Sequence, residues 1–253
     1  MNVRRNPTGM KQHRETTRSV VLLHGMFGGT GNWQPCAGYL ARDWPVFVPD
    51  LPVFDMPSRQ SVVEGLVDHV SRLLDERGIE KAVLGGNSLG GHVALQLALR
   101  DPRRIEALVL TGSSGLFERG FERHVPHHPS REWLREKIRN LFYDDKHVTE
   151  AVLDEVSATV LNPRRARQIL RVAKSAKRDN LRDMLHRIQC PVLLAWGADD
   201  HITPPAAAIE FKELLPEAEL RFIPNCGHAP MMERPDEFYQ IVRGFLLKRW
   251  SPA

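Results

Sequence analysis

Residues 86–90, GNSLG, place a serine midway between two glycines. The apolar run Lys81 to Leu84 before them predicts a strand, and the run Leu89 to Leu99 after them predicts a helix. Glycines on either side of a serine let a strand and a helix approach closely, so that the serine is exposed on a tight turn. A serine held in this way can attack a carbonyl carbon when a neighbouring base takes its proton. Ser88 is therefore the candidate nucleophile.

A base and an acid follow later in the chain. His228 lies in a Gly-His pair near the end, where it can take the proton of Ser88 and return it to a leaving group. Residues 196–204, WGADDHITP, follow another apolar run and offer two aspartates. A carboxylate there can orient the imidazole and stabilise its charged form. We favour Asp200 as the acid, because Asp199 is typical of a turn residue.

A glycine-rich loop, HGMFGG at residues 24–29, follows the apolar run Ser19 to Leu23. A developing oxyanion needs two hydrogen-bond donors. We expect the backbone N–H groups of Met26 and Leu89 to form this oxyanion hole, with Phe27 as the alternative on the loop.

Six short apolar runs alternate with helical patterns, and each is expected to form a strand: Ser19 to Leu23, Val46 to Val48, Lys81 to Leu84, Ala107 to Leu110, Pro191 to Trp196 and Leu220 to Ile223. This alternation predicts an α/β fold with a doubly wound, mostly parallel sheet. The candidate residues all follow the carboxyl ends of predicted strands, where open sheets of this kind place their sites. Helices are predicted over Ser61 to Arg77, opened by a capping box of Ser61 and Glu64, and over Pro235 to Lys248.

Residues 118–187 break the alternation, since they show helical spacing and carry 16 Lys and Arg against 11 Asp and Glu. We interpret this segment as a helical cap inserted into a core of residues 19–117 and 188–253, with residues 1–18 as an N-terminal tail. The predicted cap helices are Arg131 to Leu141, Thr149 to Val160 and Arg164 to Lys177.

Three side chains are candidates for contact with a substrate: Phe27, Trp133 in the cap, and Met231 after the histidine. For Trp133 and Met231, packing within the fold is the alternative.

Composition excludes several classes. A net charge of +4 over 253 residues is too small to indicate nucleic-acid binding. The chain has no apolar run long enough to cross a membrane, and residues 1–18 lack the apolar centre of a secretory signal. We expect a cytoplasmic protein, monomeric or homodimeric. Its three cysteines lack metal-ligand spacing, and no metal or organic cofactor is expected.

The stretches VVLLHGMFGG, GGNSLGGHVALQLAL, VLLAWGADDHITPP and CGHAPMMERPDEF resemble the α/β-hydrolase superfamily. They span nearly the whole chain outside the tail and the cap. The family's motifs align nucleophile, acid and base with Ser88, Asp200 and His228. The Asn-Ser pair and GADDHITPP look like the branch that holds small carboxylesterases and meta-cleavage-product C–C hydrolases. The resemblance implies a serine hydrolase that cleaves small-molecule carboxylic esters through an acyl-enzyme.

Departures from the family pattern leave alternatives open. Residues 50–58, DLPVFDMPS, lack the glycines of the family's D-x-x-G-x-G-x-S stretch, and the usual two strands before the first apolar run are expected to be missing or reduced. Many C–C hydrolases have Trp after the Gly-His pair, where this chain has Ala229. The alternatives are a C–C bond hydrolase, a non-catalytic binding protein of the same fold, a lyase or synthase, and a perhydrolase.

Overall fold

A six-stranded sheet forms the centre of the computed structural model, which describes residues 18–57, 60–116, 126 and 129–250. Every strand pairs in parallel with its neighbours, in the order β2-β1-β3-β4-β5-β6. The strands are β1 (Arg18–Leu23), β2 (Val46–Phe47), β3 (Lys81–Asn87), β4 (Ile105–Thr111), β5 (Val192–Gly197) and β6 (Ala218–Ile223). The predicted parallel α/β sheet is confirmed.

Helices cover both faces of the sheet and create two apolar cores. Val21 and Leu23 of β1 pack into the first core with residues of α2 (Val62–Glu76), α3 (Leu89–Arg100) and α7 (Pro205–Leu214). Val20 and Leu22 point the other way, into the second core with α1 (Gln34–Leu40) and α9 (Pro235–Leu247). Successive residues of a strand face opposite sides, so a strand covered on both faces is apolar throughout.

The third strand is longer than predicted. The sequence pattern placed Gly85 to Asn87 in a turn, and this interpretation is wrong. Gly85 and Gly86 lie in register with Leu22 and Leu23 on one side and with β4 on the other. Pairing on both sides carries β3 up to the residue before Ser88.

The start of α2 also differs from its prediction, because the expected capping box of Ser61 and Glu64 does not form. The Ser61 hydroxyl lies 2.8 Å from the hydroxyl of Ser175, which accepts the Val63 N–H at 3.1 Å. A side chain 112 residues away in the chain therefore caps this helix.

Between β4 and β5 lie α4 (Arg131–Arg139), α5 (Glu150–Val160) and α6 (Pro163–Arg178), close to the three predicted cap helices. Each begins after a residue whose side chain accepts a backbone N–H of the first turn: Ser130, Thr149 and Asn162. Helices α4 and α5 contribute to the second core and α6 to the first, so these helices pack against both layers. The division of the chain into core and cap stays a prediction.

Residues 1–17 of the predicted N-terminal tail and the question of leading strands fall outside the described ranges, whereas Arg18, the last residue of the predicted tail, is the first residue of β1. Within those ranges, none of the helices combines the length and the apolar character needed to span a membrane.

Candidate active site

Ser88 sits on a strained turn between β3 and α3. Its backbone has φ 54° and ψ −118°, a conformation that non-glycine residues rarely adopt and that costs about 1–3 kcal/mol. The turn is held because the Ser88 N–H donates to Thr111 O at 3.1 Å, and the Ser88 carbonyl accepts the Gly91 and Ser114 N–H groups at 3.0 and 3.2 Å. The result is a half-buried serine at the carboxyl end of a central strand.

The glycines of the GNSLG motif are required by close backbone contacts. A Cβ on Gly90 would lie 2.2 Å from the Leu23 carbonyl oxygen, and a Cβ on Gly86 would lie 2.5 Å from the backbone of Gly90. Both distances are far below van der Waals contact, so only glycine lets α3 cross the end of the sheet here.

Asp200 and His228 form a buried pair. The Nδ1 of His228 lies 2.9 Å from Oδ2 of Asp200, and both side chains are nearly inaccessible to solvent. The carboxylate also accepts the N–H groups of Ile202 and Thr203, at 2.8 and 3.0 Å, and the Thr203 hydroxyl at 2.9 Å. Facing a carboxylate, Nδ1 carries the proton, which leaves Nε2 with a lone pair that can accept one.

The surroundings of Asp200 favour its ionised form. Burial alone raises the pKa of this carboxyl, but the charge and hydrogen bond of His228 and the donors on residues 202 and 203 together hold the pKa below its ordinary value. The aspartate is therefore ionised at neutral pH and can stabilise an imidazolium.

Asn87 joins the turn of Ser88 to the loop of His228. Its Nδ2 donates to the His228 carbonyl at 2.9 Å and to the Thr111 carbonyl at 3.1 Å. Gly112 lies against the imidazole, since a Cβ there would be 2.7 Å from His228 Cε1 and Nδ1. Through these contacts the structure brings Ser88, Asp200 and His228 to the same edge of the sheet.

Glu233 supports the loop that carries His228. It is buried and lies in the short helix α8 (Pro230–Glu233), where its carboxylate accepts the Gly227 N–H at 2.9 Å and the Tyr143 N–H at 2.6 Å. The His228 N–H donates to Leu141 O at 2.8 Å. Segments before and after β5 thus meet at the candidate base.

The glycine-rich loop lies beside Ser88, because a Cβ on Gly25 would be 3.2 Å from the serine Cβ. His24 fixes this loop: its Nε2 accepts the Leu51 N–H at 2.9 Å, so the proton is on Nδ1, which donates to Gly25 O at 2.9 Å. Met26 is half-buried on the loop, and Leu89 is the first residue of α3. Their assignment as oxyanion donors stays a prediction.

The three predicted substrate contacts lie in different environments. Phe27 is 37% exposed, and its ring centroid is 6.4 Å from that of Phe54. Trp133 is half-buried against the second core, with the Lys137 ammonium 5.2 Å from its ring centroid. Met231 is completely buried in that core, which favours the packing alternative for this residue.

Sequence reasoning did not identify Asn87, Thr203 and Glu233 as parts of this site. Asn87 and Glu233 each have one partner 90 or more residues away in the chain, His228 for Asn87 and Tyr143 for Glu233, and spacing does not reveal such contacts. The Thr203 hydroxyl lies three residues after Asp200, so the turn pattern of the sequence could have predicted its hydrogen bond to that carboxylate. Over the described ranges, no group of three or more His, Cys, Asp or Glu is arranged to hold a metal ion.

A parallel α/β sheet that presents a serine on such a turn, beside a buried Asp–His pair, defines a class of hydrolases. The chain belongs to the alpha/beta hydrolase family, whose model matches residues 20–241.

Its relatives include enzymes of two activities. One is the 2-hydroxy-6-oxo-6-phenylhexa-2,4-dienoate hydrolase of Comamonas testosteroni, 30% identical over 91% of this chain and 88% of the relative. Another is the pimeloyl-[acyl-carrier protein] methyl ester esterase of Nitrosomonas europaea, 31% identical over 89% of this chain and 96% of the relative.

A solved structure is also similar, that of an alpha/beta hydrolase enzyme from the sediment metagenome of the Mar Chica lagoon, Morocco. It is 34% identical, covers 92% of this chain and 91% of its own, and has a TM-score of 0.75.

Proposed function

We propose that the chain is a serine hydrolase that cleaves small-molecule carboxylic esters through an acyl-enzyme. The observation that carries the proposal is the strained turn at Ser88, with φ 54°, tied through Asn87 to a histidine whose Nδ1 faces a buried carboxylate at 2.9 Å. A serine hydroxyl, an imidazole and a carboxylate in this relation are the parts of a Ser-His-Asp catalytic triad.

In the first half-reaction, Ser88 Oγ attacks the ester carbonyl carbon while His228 Nε2 takes the hydroxyl proton. The N–H groups of Met26 and Leu89 hold the oxyanion. The tetrahedral intermediate then breaks its bond to the alcohol oxygen, which receives the proton from His228. Water attacks the resulting acyl-enzyme by the same steps, releasing the acid and restoring the serine.

Asp200 keeps His228 in the required tautomer and stabilises its charged form in each half-reaction. The chemistry needs neither a metal nor an organic cofactor. The esterase relative from Nitrosomonas europaea supports ester cleavage as the reaction.

A second candidate is hydrolysis of a C–C bond in a vinylogous diketone acid. The similarity to the dienoate hydrolase of Comamonas testosteroni favours it, and it would use the same three residues. Ala229 after the histidine counts against it, because Trp is frequent at this position in C–C hydrolases.

The two reactions are separated by assaying one preparation on p-nitrophenyl esters from acetate to long chains and on the yellow dienoate named for that relative. We expect ester turnover that falls at least about 10³-fold in Ser88→Ala. Ser71→Ala, a serine within α2, is the matched control and should keep full activity. Turnover of the dienoate alone would establish the second candidate, and activity on neither substrate would refute both.

A further inference from the structure

A cleft of about 720 Å³ lies between α6, the start of α2 and the end of α3. This volume is within the range of small-molecule sites. On α3 it is lined by Gln96 and Arg100, which follow Ser88 by two and three helical turns and so lie roughly 12–18 Å from it along the helix. Ser88, Asp200 and His228 are not among the lining residues. The cleft is therefore separate from the candidate active site.

Positive charge predominates in this cleft. Its lining includes four cations, Arg100, Arg171, Lys174 and Arg178, and two carboxylates, Glu64 and Asp179. Three of the cations follow each other at intervals of three and four residues along α6, so they form one stripe of the helix, roughly 10 Å long.

Arg100 is neutralised by an ion pair with Asp68, but the three cations of α6 are not neutralised by any carboxylate of the described residues. Arg171 donates to the side-chain oxygen of Gln168 and to the carbonyls of Met56 and Pro57, which are all neutral acceptors. Lys174 and Arg178 have no carboxylate partner within the part of the chain that the structure describes.

The two acidic side chains of the lining differ in their contacts. Asp179 is already engaged, since Gln96 Nε2 donates to both of its oxygens at 2.7 Å and His92 Nε2 lies 3.1 Å away. Glu64 is exposed on the first turn of α2. Its charge lowers the positive potential of the cleft, but its carboxylate pairs with none of the α6 cations.

Helix α6, which carries the stripe, is held in place by contacts with α2 and with the loop before it. Ser175, between Lys174 and Arg178, bonds to Ser61 and to the Val63 N–H, and Arg171 is fixed on the loop before α2. Preorganised donors lose less entropy when a ligand binds.

We propose that this cleft is a second binding site, for a small molecule that carries at least two adjacent phosphate groups. Guanidinium groups match phosphate oxygens with paired hydrogen bonds, and the lysine adds a point charge between them. The hydroxyls of Ser61 and Ser175 supply neutral polar groups on the wall. Since α6 and α3 both line the cleft, a bound ligand ties the segment between β4 and β5 to the helix that starts at Ser88.

The test uses the full chain and isothermal titration calorimetry, with inorganic pyrophosphate as the probe and succinate as a dianion without phosphate. We expect saturable pyrophosphate binding and at least tenfold weaker succinate binding. The double variant Lys174→Gln/Arg178→Gln should weaken pyrophosphate binding at least tenfold, whereas Glu64→Gln should strengthen it. The double variant Arg165→Gln/Lys177→Gln is the matched control, because it removes the same charge from exposed positions of α6 that lie off the stripe and outside the cleft lining, and it should change binding less than twofold.

Absence of saturable pyrophosphate binding below about 1 mM, succinate binding as tight as pyrophosphate, or equal losses in both double variants would each overturn the proposal. Adenosine diphosphate distinguishes the source of the phosphates: tighter binding than pyrophosphate indicates a ligand with an organic part in the cleft, and weaker binding indicates the phosphate group alone. Ester turnover should be retained in all these variants, so failure here is distinguishable from failure of the hydrolase assignment.

Discussion

Two neighbouring aspartates occupy different environments in the loop after β5. Asp200 is buried and accepts hydrogen bonds from His228 and from Thr203. Asp199 accepts the Cys226 N–H at 3.4 Å and has its own N–H bonded to the Cys226 carbonyl, which fits the turn role expected for it. Geometry therefore separates two residues between which the sequence left a choice.

This difference gives a matched pair of variants. Asp200→Asn preserves shape but replaces the carboxylate that fixes the His228 tautomer, and we expect kcat for ester hydrolysis to fall on the order of 10³–10⁴-fold. Asp199→Asn, one residue earlier, should change kcat less than about threefold. Steady-state kinetics on the best p-nitrophenyl ester measure both, and equal losses would contradict the assignment of Asp200.

At the scale of single residues, the sequence offered Ser88, Asp200 and His228 as candidates because each belongs to a local motif with a fixed place after a strand. Asn87 and Glu233 contact backbone groups 141 and 90 residues away. Such contacts depend on how the chain folds back, and a single sequence holds no local signal for them.

At the scale of elements, the junction between β3 and α3 depends on a close backbone crossing. In Gly90→Ala the new Cβ would lie 2.2 Å from the Leu23 carbonyl oxygen, a backbone atom of the central sheet that cannot move aside. We expect the free energy of unfolding to fall by about 3 kcal/mol, measured by urea denaturation.

The control is Gly38→Ala in α1, where a Cβ meets nothing within 4 Å. Because alanine favours a helix interior, this variant should gain up to about 1 kcal/mol. A Gly90→Ala protein as stable as wild type would show that the backbone of α3 does not lie in close contact with the Leu23 carbonyl.

The elements were predicted well where periodicity is strong and less well at their ends. All six strands and the helices α2, α3 and α9 lie close to their expected ranges. The sequence argument did not identify α1 or α7, and it ended β3 too early because it treated two glycines as a turn. It also assigned the cap of α2 to Ser61 and Glu64, although Ser175 on a distant helix accepts the Val63 N–H.

At the scale of the whole molecule, Asp179 links the end of α6 to α3. Burial raises the pKa of its carboxyl, but the neighbouring His92 imidazole and the hydrogen bonds from Gln96 outweigh this and hold the pKa below its ordinary value. A depressed pKa in the folded state adds stability above the unfolded value near 4, and this stability is lost as pH falls through the folded value.

Asp179→Asn should therefore lower the free energy of unfolding by about 1 kcal/mol at pH 6, and the difference from wild type should shrink as pH is lowered from 5 to 3. Urea denaturation of both proteins across this range gives the comparison. A difference that stays constant with pH would mean that the carboxylate charge does not contribute to holding α6 on α3.

The central claim is that Ser88 is the nucleophile of a functional catalytic triad. Labelling with a fluorophosphonate tests this claim most directly. After reaction, digestion and mass spectrometry, we predict a single phosphonyl group on the peptide that contains Ser88. Labelling should be absent in Ser88→Ala and strongly slowed in His228→Ala. An unlabelled wild type, or a label on another serine such as Ser114 beside the turn, would contradict the account.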